Sequence, residues 1–374
     1  MTGSFDRMYK FPDMDTADDM KPLELGLDTF GDVTRAADGE PLPQAQVIRD
    51  VVAEAVLADE LGVDFIGVGE HHRADFAVSS PEMVLAAIAS RTQRIRLGSA
   101  VTVLSSDDPV RVFQRFSTLD ALSNGRAEVI LGRGSFTESF PLFGYPLEQY
   151  EILFEEKLSL FAALLEADST GEKVTWSGTT RAPLVNLRAF PSTEHSRLTT
   201  WIGVGGSPES VVRAARYELP MMLAIIGGDP RRFMPYVELY KKTLARQGTA
   251  PLPIGVHSPG HIAETDAQAR EELWPAYRDM RNRIGAERGW GPTSPAEFER
   301  EVETGSLYVG SPETVARKIA ATARALGVSR FDMKYSAGWL AHDKMLRCIG
   351  FYGREVIPRV RELLTASAAT SLPK

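Results

Sequence analysis

Residues 200–210 read TWIGVGGSPES. Thr200 to Val204 form a β-rich apolar run, Gly205 and Gly206 follow it, and Ser207-Pro208-Glu209 opens a helix with a capping serine and an N1 proline. A strand that turns at once into a capped helix is one βα unit, and the same order recurs along the chain. Comparable runs stand at LELGLD (23–28), DFIGV (64–68), IRLGSAVTV (95–103) and AEVIL (127–131). They continue at TWIGV (200–204), PMMLAII (220–226), PIGVH (253–257) and RFDMKY (330–335). None alternates with a clean period of two, so each reads as a parallel strand buried on both faces.

The segments between them carry helix punctuation. Val47, Val51, Ala55 and Ala58 recur at helical spacing, and Gly62 closes that helix. Ser80-Pro81-Glu82, Asp108-Pro109, Ser207-Pro208-Glu209 and Ser311-Pro312-Glu313 each put a capping side chain before an N1 proline, and Asn124-Gly125 ends the helix that starts at Pro109. Eight strands, seven intervening helical regions and a final helix over 345–364 match an α/β fold of the (β/α)8 TIM-barrel type. A doubly wound open sheet is the rival, and eight similar units favour closure.

The organisation follows. Residues 1–20 (with FPDMDTADDM) are a polar, acidic, flexible extension, 21–366 a single barrel and 367–374 a tail. The connection 167–197 contains strand-like pieces (KVTWSG, PLVNLRAF) and reads as a surface hairpin. The long insertion after strand 7, residues 262–306, is charged around Trp274 and Trp290 and reads as an active-site lid or as a surface insertion that helps dimerise.

Composition excludes several classes. A net charge of -8 without a basic block argues against nucleic acid. One cysteine, Cys348, leaves no internal disulfide and suits a reducing compartment. No run approaches the roughly 18 apolar residues of a membrane span, and the start lacks a signal peptide's pattern. The expectation is a soluble cytoplasmic protein.

In a barrel of this type the strands' C-terminal ends build the site. That rule selects Asp28-Thr29-Phe30, Glu70-His71-His72, Thr102 to Ser106, Gly132-Arg133-Gly134, Gly205-Gly206-Ser207, Gly227-Gly228, His257 and Tyr335-Ser336. Gly205, Gly206 and Ser207 read as a phosphate cup or as a tight, well-capped turn. The echo VGSPETV (309–315) follows the insertion rather than a strand, so the first copy is the better phosphate binder. Arg133 either meets a ligand phosphate or pairs with a local carboxylate such as Glu138. GSAVTVLSS (98–106) is a wall of small and β-branched residues that suits a planar ring, or simply a core strand.

GEHHR (69–73) has three readings. A metal takes ligands from separate strands, and adjacent histidines diverge, so His71 and His72 do not easily share one ion. A histidine with a pKa near neutral is a natural acid or base. The third reading is a structural polar network. His257, His261 and His195 read first as structural histidines, and Cys348 as a small core residue.

In order and spacing these words resemble the bacterial luciferase-like flavin-dependent monooxygenase family over about residues 23–364. The matching stretches are LGLDTF, VGEHHR, LGSAVTVLSSDDPVR, ILGRGSF, VGGSPESV and LPMMLAII at strands one to six, then GSPETVARKIAATARALGV and FYGREVIPRV. The resemblance implies a homodimer that uses FMN, reduced by a separate flavin reductase, and O2 to oxygenate a small organic substrate. EHH and GRG favour FMN over deazaflavin. It also implies that His71 works at the flavin ring, with His72 catalytic or supporting beside it. Ala100–Val101 is implied to be a cis peptide under that ring, next to Thr102, and Arg133 to bind the phosphate with the amides of Gly205, Gly206 and Ser207. Gly132 replaces the light-emitting enzyme's reactive cysteine, and Gly205 and Gly206 its glutamate and serine. The rivals are a deazaflavin (F420)-dependent hydride-transfer oxidoreductase, a non-catalytic flavin-binding protein and a metal-dependent barrel hydrolase.

Overall fold

In the computed structural model, which describes residues 22–36, 38–195 and 197–370, each of the eight apolar runs is a strand. They are β1 (Glu24–Thr29), β2 (Phe65–Val68), β3 (Arg96–Ser99), β4 (Ala127–Gly132), β5 (Thr199–Val204), β6 (Met221–Ala224), β7 (Ile254–Ile262) and β8 (Arg330–Lys334). Every neighbouring pair is parallel, and β8 returns to β1 with Asp28 opposite Lys334, so the sheet closes. The barrel reading holds, and the open sheet is set aside. The runs lack alternation because both faces are covered: side chains fill the interior, and helices cover the outside.

Helices α1 (Gln44–Glu60), α2 (Pro81–Ala89), α3 (Pro109–Ser123), α4 (Tyr150–Thr170), α5 (Pro208–Arg216), α6 (Met234–Gln247) and α7 (Pro312–Leu326) lie between strands. The expected caps form at Asp108, Ser207 and Ser311, whose side chains accept helix N–H groups. Ser80 makes no such bond, so α2 starts on its proline alone. The last helix begins at His342, widens over Tyr352–Val356 and runs to Thr370, into the stretch read as a tail. The expected extension over 1–20 lies outside the described residues.

The 167–197 connection carries the antiparallel hairpin Val174–Trp176 and Leu184–Leu187. The insertion after β7 folds into helices Asp266–Arg288 and Pro295–Glu303 and ends in a short strand, Tyr308–Gly310, paired to the outer end of β7. VGSPETV therefore does follow a strand, contrary to the sequence reading. That strand was hidden because it has three residues and extends another strand instead of joining the barrel ring.

Two layers fill the interior. At the N-terminal end Arg330, wholly buried, bonds Glu128 at 2.6 Å and Asp332 at 2.9 Å while its guanidinium lies 3.5 Å from the Phe65 ring centroid. Arg96 reaches the other oxygen of Glu128 at 2.7 Å. Next comes an apolar layer of Phe65, Ile130, Trp201 and Met222, with Ala100 and Val101 packed on it at the C-terminal end.

Candidate active site

The C-terminal mouth begins at Gly69, where a Cβ would come within 3.0 Å of the Ala100 carbonyl oxygen; only glycine lets β2 pass so close. Glu70 then ties the two segments together. Its N–H donates to Val101 O (3.2 Å), and its carboxylate accepts from Val103 N–H (2.8 Å) and meets His72 Nε2 (2.9 Å). His72 is thereby held by Glu70 in a supporting hydrogen bond.

His71 turns the other way, into rings. Phe76 stacks on it at 4.4 Å, with Phe30 at 4.6 Å and Phe136 at 5.3 Å. Burial among these rings, helped by Lys334, His72 and Arg73, lowers its pKa to about 3 against the pull of Asp32. The near-neutral value expected from the sequence is corrected: His71 is an uncharged imidazole through the ordinary pH range, able to accept or donate one hydrogen bond.

Ala100–Val101 is a cis peptide, as the resemblance implied. Glycines make room for its side chains. A Cβ on Gly67 would lie 2.8 Å from the Ala100 Cβ, one on Gly132 2.5 Å from Val101 Cγ2, and one on Gly203 3.2 Å from Val101 Cγ1. The result is an apolar platform with the Ala100 and Val101 side chains set into it. Gly132→Ala is expected to lower stability by about 1–3 kcal/mol, the cost of overpacking, read as a lower midpoint in chemical denaturation. Thr102 is fully buried and its hydroxyl donates to Ser99 Oγ, so its side chain supports the strand end and is not presented to the mouth.

Beyond the platform the ends of β4 and β5 meet. Arg133 Nη2 lies 3.4 Å from Ser210 Oγ, which lies 2.9 Å from Ser207 Oγ. Ser207 caps α5, Gly206 takes a positive φ of 107°, and the Tyr236 hydroxyl donates to Gly206 O at 2.7 Å. The N–H groups of Gly205, Gly206 and Ser207 have no acceptor among the described residues. Arg133 does have a carboxylate partner, but it is Glu151 on α4, whereas Glu138 pairs with Arg73. Glu151 is 63% exposed, so that pair is worth about 0–1 kcal/mol.

Two charged pairs escaped the sequence reading. Lys334 bonds Asp32 (2.8 Å) and hangs over the Phe30 ring at 4.6 Å, and Ser336 Oγ also donates to Asp32 (2.6 Å). His257 Nδ1 meets Asp28 Oδ2 at 2.7 Å. The signal for the first was a lysine inside an otherwise buried run, which must find a counter-ion. His261 is structural: it meets Glu272 of the insertion at 2.9 Å. A cavity of about 500 Å³, lined by Val33, Arg35, Arg73, Asp75, Arg283 and Trp339, opens beside the ring cluster.

The model of the luciferase-like monooxygenases matches residues 29–330. The chain belongs to the luciferase-like monooxygenase family. Within it, limonene 1,2-monooxygenase of Rhodococcus erythropolis is 35% identical over 309 residues, which cover 80% of this chain and 78% of that one. Matches to two uncharacterized proteins of Sinorhizobium fredii, 39% and 32% identical, span only 31% and 37% of those proteins. Monooxygenase RslO1 from Streptomyces bottropensis superposes with a TM-score of 0.77 at 23% identity, over 90% of this chain and 99% of that chain. The oxygenating constituent of 3,6-diketocamphane monooxygenase of Pseudomonas putida, solved with FMN, gives 0.72 at 19% identity, over 90% and 98%. An F420-dependent secondary alcohol dehydrogenase gives 0.69 at 15%, over 91% and 99%, so this luciferase-like monooxygenase shares its barrel with users of both cofactors. No helix among its described residues is long and apolar enough to cross a membrane.

Proposed function

We propose that this protein is an FMN-dependent monooxygenase that receives reduced flavin from a separate, transiently bound reductase and uses O2 to oxygenate a small organic substrate in the cytoplasm. The observation that carries this reading is the pairing of an anion cluster with an apolar platform. Arg133, Ser207, Ser210 and free amides at the start of α5 suit a terminal phosphate. Ala100 and Val101, recessed on glycines, suit a planar ring. FMN would supply the two electrons and the carbon that reacts with O2; the chain supplies position and a dry surrounding. His71 gives the ring's neighbour one neutral hydrogen bond, and the Phe30, Phe76 and Phe136 wall around it suits an apolar substrate. The limonene-oxidising relative supports a substrate of that character.

Arg133→Ala tests the phosphate assignment. Losing a charge-assisted contact of about 1.5–3 kcal/mol is expected to weaken FMN binding about 10- to 100-fold while leaving riboflavin, which has no phosphate, unchanged. Equal losses for both would remove Arg133 from the phosphate site. Absorbance titrations with FMN and with deazaflavin decide between the cofactors; binding of deazaflavin alone overturns the reading.

We also propose a homodimer, on the face where α2, α3 and the hairpin expose Met83, Leu122, Val185, Leu187 and Phe190. Gln114 of α3 donates to Phe190 O at 3.2 Å, which makes that face continuous. Leu122→Asp is expected to give a monomer in light scattering; an unchanged mass places the interface elsewhere.

A further inference from the structure

We propose that His257, held by Asp28, is a second catalytic residue of this site: it carries the proton with which the oxygen atom not given to substrate leaves as water. The inference rests on the FMN-monooxygenase reading.

Its position comes from the strands. His257 stands on β7 opposite Asp332 of β8 and Ala224 of β6. Asp28 stands on β1 opposite Gly67. A Cβ at Gly67 would lie 3.0 Å from the Asp28 Cβ and 2.8 Å from the Ala100 Cβ. The aspartate and the platform thus flank one point inside the barrel, and the pair borders the surface proposed to take the ring.

Its geometry fits a proton carrier. Asp28 is 1% exposed while the His257 side chain keeps 12%, so the pair is sealed at the carboxylate and the imidazole is its less enclosed end. Asp28 Oδ2 fixes Nδ1 at 2.7 Å, and Nε2 has no hydrogen-bond partner among the described residues. The other oxygen, Oδ1, is buried without a partner. A buried carboxylate left half-satisfied favours a charged imidazole beside it.

The groups facing His257 are Asp28, Asp332 and Lys334. Burial and Lys334 oppose charge on the ring; the Asp28 and Asp332 carboxylates outweigh them and raise its pKa above the usual histidine value. Phe30 stands between the site's two histidines, 4.6 Å from His71 and 6.1 Å from His257, nearly parallel to the latter at 12°. Burial pushes the pKa of His71 down and the carboxylates push that of His257 up, which divides the work.

The balance requires one such proton. Reduced FMN as its monoanion, O2, substrate and one proton give oxidised FMN, oxygenated substrate and water. Reduced flavin supplies two electrons and one of water's hydrogens, and the O–O bond breaks. His257 Nε2 supplies the other hydrogen and is recharged from solvent at the mouth. Without substrate, the same anion, O2 and one proton give oxidised FMN and hydrogen peroxide.

Two measurements test this. NMR of histidine-labelled, cofactor-free protein is expected to show His257, assigned with His257→Gln, titrating above pH 6.5, and its midpoint falling in Asp28→Asn. A midpoint below 6.5 overturns the proposal without any variant having to act. In stopped flow, reoxidation of protein-bound reduced FMN by O2 is expected to slow in the wild type as pH rises through that midpoint. In His257→Gln it should be about 10²-fold slower below the midpoint and insensitive to pH there. An unchanged pH profile in a variant that still binds FMN overturns the role of His257 alone. Failure of the wild type to bind FMN overturns the cofactor reading, and this proposal with it.

Discussion

His71→Ala is expected to leave FMN binding intact and to lower substrate oxygenation about 10²- to 10⁴-fold, the range for a lost acid–base or hydrogen-bonding group at the reacting atoms. The cluster proposed to hold the phosphate, at the ends of β4 and β5, shares no hydrogen bond with His71 among the described residues, so cofactor affinity is expected to survive the change. What is lost is the one neutral imidazole facing the mouth from β2, set among Phe30, Phe76 and Phe136. Flavin titration reads the first half and product formed per reduced FMN reads the second. His71→Gln separates lost hydrogen bonding from the hole that alanine leaves, because it restores a donor and most of the volume. Turnover unchanged in both variants would show that His71 packs the mouth and takes no part in the chemistry.

Arg330→Met is expected to destabilise the fold by about 3–5 kcal/mol, the usual cost of removing one member of a buried charged network. Glu128 keeps Arg96 and the Trp201 indole, 3.1 Å away, but the Asp332 carboxylate loses its only hydrogen-bond partner among the described residues. Against a total stability of roughly 5–15 kcal/mol, that is enough to unfold a sizeable fraction at moderate temperature. Urea denaturation of Arg330→Met, and of Arg330→Met with Asp332→Asn, measures it; the second change should recover part of the loss by removing the stranded charge. No loss in the single variant would mean that Asp332 takes up a proton at little cost.

The strands were legible because burial on both faces leaves unbroken apolar runs, and the mouth was legible because strand ends in such a barrel carry the glycines and polar residues. Two kinds of feature were not. Partners remote in sequence, such as Asp28 with His257 or Lys334 with Asp32, are joined only by barrel closure, and no local pattern reports a contact across more than two hundred positions. Environment was the other. HH shows two similar side chains, yet Glu70 captures His72 while three phenylalanines from separate loops strip water from His71. For Arg133 the alternative of a local carboxylate, with Glu138 as the example, met Glu151 instead, because the start of α4 packs beside the end of β4.

The segment between β7 and α7 leaves and re-enters the barrel as adjacent paired strands, Gly260 opposite Tyr308 and Ile262 opposite Gly310. Its two ends are therefore neighbours in space, joined by main-chain hydrogen bonds that do not depend on the side chains between them. Residues 263–307 form an exchangeable cassette. A substitute of different length is expected to keep these main-chain ends and the strand register, and to give up the contacts the segment makes with the barrel: Glu287 with Arg73, Arg283 with Asp75 and Glu272 with His261.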